Sequence, residues 1–248
     1  MSSVLFFLIL LLLWQGAFWL LVDVLALCKA YALPSPVGVL ERLITLTGNG
    51  TLLRAVGNSL LRGVIGYLAA LILGLLLAHS EYLQKHVKPL ILGIQTLPSI
   101  CWVPFAILWF GLTTEAILFV VIMGSAFGIA IAVESAVKNV QPIYKKAALT
   151  MGATKLQLYR RVILPAALPE MISGAKQGWS FAWRALMSGE VMTTSIGLGQ
   201  TLITGRDLAD INQVMLVMLV IIVVGVVIDR GIFGILEKRV RKSRGLAQ

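Results

Sequence analysis

Charge is what this sequence has least of. Only 13% of its 248 residues are Asp, Glu, Lys or Arg, about half of the roughly 25% that a water-facing globular domain carries. A chain so short of charge cannot coat a soluble surface, which excludes a soluble enzyme. The only cysteines, Cys28 and Cys101, are too few for a disulfide framework or a cysteine-built metal site, and burial is the expectation for both. His79 and His86 have no metal-ligand partner at useful spacing. Neither a nucleophile paired with a base nor a clustered metal site occurs, and there is no Gly-x-x-x-x-Gly-Lys-Ser/Thr phosphate loop. Internal repeats and low-complexity stretches are missing too.

What the chain has instead is apolar length, 58% hydrophobic residues. A bilayer core needs about 20 mostly apolar residues per helix. Val4 to Val22, Gly63 to Ala78, Pro89 to Thr114, Ala116 to Val133 and Ile211 to Ile228 are free of charge. A sixth span, fifth in chain order, runs from about Pro169 to Val191 and is interrupted by Lys176, Arg184 and Glu190. It is required by the distribution of basic residues. With six spans, Lys85, Lys88, the segment Lys138 to Arg161 and the residues after Ile228 all fall on one side, placing there 14 of the 21 Lys and Arg. By the positive-inside rule that side is the cytoplasm, and both termini lie there. The first span, with no basic residue before it, reads as a retained helix rather than a cleaved signal.

Between the first two spans, Val37 to Leu46 reads as an amphipathic helix lying in the interface, and Asn49-Gly50-Thr51 as a turn. Gly197-Leu198-Gly199-Gln200-Thr201-Leu202 lacks the last glycine of a dinucleotide fingerprint and reads as an external turn.

The cytoplasmic segment from Lys138 to Pro165 is the most informative. Pro142 suits a first helical position, Gly152 a left-handed stop, Thr154 the cap of a second helix, and Pro165 its end. Ala147 and Ala148 would let another protein approach closely. Basic loops also occur as plain topology determinants. Ala147-Ala148, Gly152 and Val162-Ile163-Leu164-Pro165 together resemble the Glu-Ala-Ala…Gly…Ile-x-Leu-Pro loop of ABC importer permeases, with Lys146 where Glu is usual and Val162 where Ile is usual. Leu33-Pro34-Ser35-Pro36, Leu97-Pro98-Ser99, Trp102-Val103-Pro104, Leu108-Trp109-Phe110-Gly111-Leu112 and Arg161 to Pro169 are similar to the branch that imports nitrate, taurine, aliphatic sulfonates or bicarbonate.

The resemblance implies an all-α integral membrane protein with six transmembrane helices and the type I ABC importer permease fold. It implies a bacterial inner-membrane location, a second permease copy, a separate ATPase subunit carrying ATP and Mg, and an extracytoplasmic binding protein; no cofactor is expected on this chain and no nucleic-acid partner. Ala147, Ala148, Gly152, Leu164 and Pro165 would contact the ATPase. The expected divisions are residues 1–53 (first helix and linker), 54–236 (permease core, with the coupling loop 138–165) and 237–248 (basic tail). The alternatives are a permease for another small solute, such as a vitamin precursor, or a membrane scaffold or sensor.

Ionisable groups at membrane depth are functional candidates. Ser173, Gln177, Ser180, Arg184 and Ser188 recur at helical spacing and form one polar stripe. Lys176, Gln177, Ser180, Arg184 and Glu190 are the candidate path residues, with Arg184 and Lys176 offering positive potential to an anion. Equally, Arg184 could pair with Glu190 or a neighbouring helix and only fix packing. Gln95, Thr96, Pro98, Ser99 and Pro104 interrupt the third span and place it beside the path, since such breaks survive where they face protein or water. Trp179 and Trp183 are expected to pack, and Glu134 and Glu170 to snorkel or cap.

Overall fold

The computed structural model describes residues 2–26, 29, 32–79 and 89–242. Cys28, Glu81, Lys85, His86, Lys88 and the tail from 243 lie outside the described residues, as do the side chains of Asp23 and His79.

Every described element is helical. Helix α1 (Ser2–Phe18) widens into a π turn, Trp19–Val24. Helix α2 (Pro36–Gly48) starts on Pro36, with Ser35 Oγ accepting from the Gly38 amide at 3.0 Å as its N-cap. The Asn49-Gly50 turn forms as read: Gly50 has φ +73° and Asn49 Oδ1 accepts from the Thr51 amide. There α3 (Thr51–His79) begins. Then come α4 (Pro89–Gln95), α5 (Val103–Phe110) after a single turn at Ser99–Trp102, and α6 (Thr114–Lys138). Helix α7 (Pro142–Thr150) leads to α8 (Leu164–Val191), α9 (Leu198–Asp207), α10 (Ile211–Ile228) and α11 (Gly234–Lys242).

Three of these, α3, α6 and α10 with its continuation to Val240, are long and apolar enough to cross a membrane, and the bent pair α4/α5 would be a fourth. Helix α1 carries the shorter apolar stretch Leu8–Val22. Helix α8 has 28 residues, enough length, but its Glu170, Lys176, Arg184 and Glu190 dilute the hydropathy. These six elements coincide with the six expected spans. The third is not one rod: α4 and the Ser99–Phe110 segment are bent by 100° at Thr96-Leu97-Pro98.

Two compact units divide the chain, Met1–Leu60 with Glu190–Val223, and Leu61–Gly189 with Val224–Gln248. In the second, α6 is the hub. Ala126, Ile129, Ala130 and Val133 are buried on it. Small residues let backbones close up, as membrane helices require: a Cβ on Gly174 would stand 2.6 Å from the Ala132 Cβ, one on Gly178 would strike Ile129, and one on Gly66 would stand 2.7 Å from Val121. Trp179 and Trp183 are buried and stacked with centroids 6.0 Å apart, and Tyr67 meets Trp179 edge-on while its hydroxyl donates to the Ala175 carbonyl at 2.9 Å.

In the first unit, the Ser35 amide donates to Asn212 Oδ1 at 2.9 Å and Arg42 pairs with Asp210 at 2.6 Å, fixing α2 against the start of α10. The stretch read as an external turn at Gly197 opens helix α9 instead. The Glu190 carboxylate occupies the space where a Cβ on Gly197 would stand, and the Glu190 Cβ and the backbone at Val191 crowd the space beside Gly199, so the glycines serve close approach rather than chain reversal.

Two further expectations are corrected. Cys101 is exposed, because it lies on the single turn between α4 and α5 rather than inside a continuous helix. Pro165 does not end a helix. Lys155–Gln157 runs through a wide π turn, Leu158–Ile163, into α8, with the Leu164 amide bonded to the Tyr159 carbonyl five residues back. A proline ring collides with the carbonyl four residues earlier in a regular helix. That carbonyl belongs to Arg161, inside the widened turn.

Candidate functional site

The break in the third span makes a cavity. At the end of α4 the Thr96 hydroxyl donates to the Gly93 carbonyl at 2.7 Å, and Pro98 carries the chain away before the Cys101 amide bonds back to the Pro98 carbonyl. The space left, about 380 Å³, is lined by Gln95, Thr96, Pro98, Ser99 and Trp102 from the break, Met123, Gly124, Phe127 and Gly128 from α6, and Phe181 and Arg184 from α8. Gly124 and Gly128 keep it open: a Cβ on Gly128 would lie 3.0 Å from the Phe181 ring and 3.4 Å from the Gln95 amide nitrogen. The Ser99 and Ser188 hydroxyls are 3.4 Å apart. The two spans set beside the path by their polar residues thus share one cavity.

The polar stripe forms on α8. Ser173, Gln177, Ser180 and Arg184 are exposed, while Gly174, Gly178, Ala182, Ala185 and Gly189 on the other side are buried. Arg184 Nε donates to the Ser180 carbonyl at 3.1 Å, and its guanidinium lies 5.1 Å over the Phe181 ring. Among the described residues Arg184 has no ion pair, so the alternative pairing with Glu190 is not formed. Glu190 is fully buried, accepts from Ser59 Oγ and from the Gly199 amide, and does not line the cavity.

Lys176 is engaged elsewhere, 3.2 Å from Asp229, each about one-third exposed. Lys176→Met would leave the Asp229 charge unpaired. We expect a loss of roughly 1–3 kcal/mol, less than the roughly 3–5 kcal/mol of a fully buried pair. Adding Asp229→Asn should recover most of it in a thermal melt of the detergent-purified protein; an unchanged melt for Lys176→Met would rule the pair out as a stabilising contact. Glu134 is buried and pairs with Lys138 one turn on, and Glu170 accepts from Asn139 at 2.8 Å, so specific partners hold both rather than snorkelling.

The segment before α8 has the expected local chemistry. Pro142 opens α7, Gly152 has φ +80°, and Thr154 forms a capping box with Gln157. Ala147 is exposed but Ala148 is buried, so only one of the two faces a visitor; Gly152, Leu164 and Pro165 are exposed. The broader signal is a crest of exposed large residues, Ile143, Tyr144, Leu149, Met151 and Leu156, with Met151 86% exposed. An exposed apolar crest of this kind is a surface suited to contact with protein or membrane. The side chains of this crest carry no signature in the sequence, whereas the four-residue spacing of Gly124 and Gly128 is a helix-packing signal.

Residues 66–242 match the family described as binding-protein-dependent transport system inner membrane component. The chain belongs to this family. The permease is 30% identical over 78% of its length to a putative ABC transporter permease protein of Methanocaldococcus jannaschii, covering 74% of it. It is 27% identical to the taurine transport system permease protein TauC of Escherichia coli, over 93% of this chain and 86% of that one. It is also 27% identical to the putative aliphatic sulfonates transport permease protein SsuC of Bacillus subtilis, over 92% and 84%. Its fold matches a chain of the MetNI methionine ABC transporter with TM-score 0.62 at 22% identity, over 77% of the permease and 96% of that chain. An amino acid ABC transporter matches at TM-score 0.67 and 13% identity, over 79% and 97%. The permease is therefore a multi-pass inner-membrane transport subunit with the type I importer fold, not an enzyme, working with a separate ATPase and a substrate-binding protein. Membership sets aside the scaffold or sensor reading.

Proposed function

We propose that this permease carries a small anion inward, in the class of taurine, sulfonates, nitrate or bicarbonate, delivered by its binding protein. The observation that carries this reading is Arg184, a cation without an ion pair among the described residues, on a polar stripe at membrane depth. A charge there costs at least about 2.5–3.5 kcal/mol on insertion scales, and lipid would not tolerate the stripe. A second permease copy covers it, and the path runs between the two. Names of relatives support the anion class: taurine and aliphatic sulfonates above, and nitrate for the import permease NrtB of Synechocystis, 25% identical over 80% of this chain and 77% of that one.

Both termini and α7 face the cytoplasm. There α7 and the turn at Gly152 dock on the ATPase, which holds ATP and Mg, and its closure moves α8 through the segment Lys155 to Pro165. The core runs from 54 to 236, preceded by the first helix and linker and followed by the basic tail. In proteoliposomes holding permease, ATPase and binding protein, Arg184→Gln should reduce uptake of labelled taurine or nitrate, whichever the wild type takes up, by more than about tenfold while the complex still assembles. Uptake equal to wild type would sink the anion path.

A further inference from the structure

We infer that the cavity beside the broken third span takes an organic monoanion with an apolar body, an aryl or branched-alkyl sulfonate or carboxylate, in preference to a bare inorganic oxyanion. This deepens the anion reading and rests on it.

The head group follows from what Arg184 has left to give. Its Nε–H is committed to the Ser180 carbonyl, and the guanidinium carbon lies 5.1 Å over the Phe181 ring. The free donors are the hydrogens on its two terminal nitrogens, and a fork of that shape matches two oxygens of one sulfonate or carboxylate. Attraction to the Phe181 ring, 5.1 Å away, holds the charged end of Arg184 at the cavity wall. The Gln95 amide, also lining the cavity, has no hydrogen-bond partner among the described residues and can donate to a third oxygen. Lys176 is neutralised by Asp229, so one positive charge faces the ligand. One positive charge balances a monoanion and leaves a dianion half compensated.

The body follows from the walls. Trp102, Met123, Phe127 and Phe181 present apolar surface to the same space. A nitrate or bicarbonate ion satisfied by Arg184 would lose its hydration and gain nothing from these side chains. An aryl or branched-alkyl group removes them from water at about 25 cal/mol per Å². A volume of about 380 Å³ lies in the lower part of the roughly 300–1,000 Å³ range of small-molecule sites, which leaves room for such a body. Gly128 sets the limit, because a side chain there would push Phe181 and Gln95 inward.

The test uses the purified permease–ATPase complex in lipid nanodiscs without binding protein, so that the binding protein's selectivity does not enter. Probes are benzenesulfonate, the neutral benzenesulfonamide and nitrate, followed by calorimetric titration. Benzenesulfonate should bind at least about tenfold more tightly than nitrate. Arg184→Gln should weaken benzenesulfonate by more than tenfold, with Arg184→Lys intermediate. Phe127→Ala should weaken benzenesulfonate several-fold and leave nitrate unchanged. Each variant complex is used only where it retains its ATPase in the wild-type ratio, and the Phe127 and lysine variants stand if the glutamine variant does not assemble. Nitrate binding as tightly as benzenesulfonate, lost in Arg184→Gln, would overturn the apolar-body claim and leave the anion reading standing. Benzenesulfonamide binding as well as benzenesulfonate would overturn both. Absence of binding by every probe would overturn the cavity as a ligand site, while uptake by the complete importer still tests the anion reading.

Discussion

Glu190→Ala should destabilise the permease by about 3–5 kcal/mol and leave little monodisperse protein in detergent size-exclusion chromatography. The Glu190 carboxylate is fully buried, with Ser59 Oγ at 2.8 and 2.7 Å from its two oxygens and the Gly199 amide at 3.0 Å. Ser59 Oγ in turn accepts from the Leu198 amide at 2.8 Å. Both amides belong to the first turn of α9, where intrahelical partners are missing and negative charge is favoured. Each hydrogen bond to a charged group contributes about 1.5–3 kcal/mol, and truncation strands two donors while opening a void. Glu190→Gln keeps the shape and the acceptor, so it should lose only about 1–2 kcal/mol of that. Gly199→Ala should behave like the alanine variant, since its Cβ would meet the Glu190 Cβ at 2.6 Å and the Val191 amide nitrogen at 2.9 Å. A wild-type melting profile for Glu190→Ala would show that α9 is held by something other than this carboxylate.

The double variant Leu149→Asp with Met151→Asp should separate the permease from its ATPase without unfolding it. Both side chains are more than half exposed, so their replacement changes the fold by no more than about 0.5 kcal/mol each. Placed in an apolar interface, two unpaired carboxylates would each have to be desolvated, at several kcal/mol. Co-purification with the ATPase through a tag on the permease should drop at least tenfold, while the permease alone elutes and melts as wild type. Retention of ATPase at the wild-type ratio would remove this crest from the contact.

Local chemistry was legible in the sequence wherever one or two neighbours decide it. Pro142, Gly152 and Thr154 act within a turn of their own positions, and the structure has each in the conformation read for it. The stripe from Ser173 to Arg184 was legible because helical period alone sorts its members onto one face. What stayed hidden depends on residues distant in the chain. Lys176 and Asp229 read as one membrane charge and one cytoplasmic charge, and only packing brings them together. Glu190 had the signature of a path residue, an acid at membrane depth, yet its partners Ser59 and Gly199 carry no mark of it. Pro165 and Cys101 were misjudged for a common reason: hydropathy and proline rules assume straight, regular helices, and here a widened turn and a broken span replace them.

That widened turn at Leu158–Ile163 also sets a tolerance. A π turn accommodates about one residue more than the α-helical turn it replaces, and each residue of an α-helix advances by about 100°. With helix continuous from Lys155 to Val191, the bulge absorbs that extra residue without turning α8 relative to the capped turn at Thr154. Deleting one residue there would close it to an ordinary α turn and leave Ser180 and Arg184 facing the cavity, whereas deleting one from the regular helix between Leu164 and Ser180 would swing both about a quarter-turn away. The stripe thus withstands a change of length in the turn that it could not withstand one turn later.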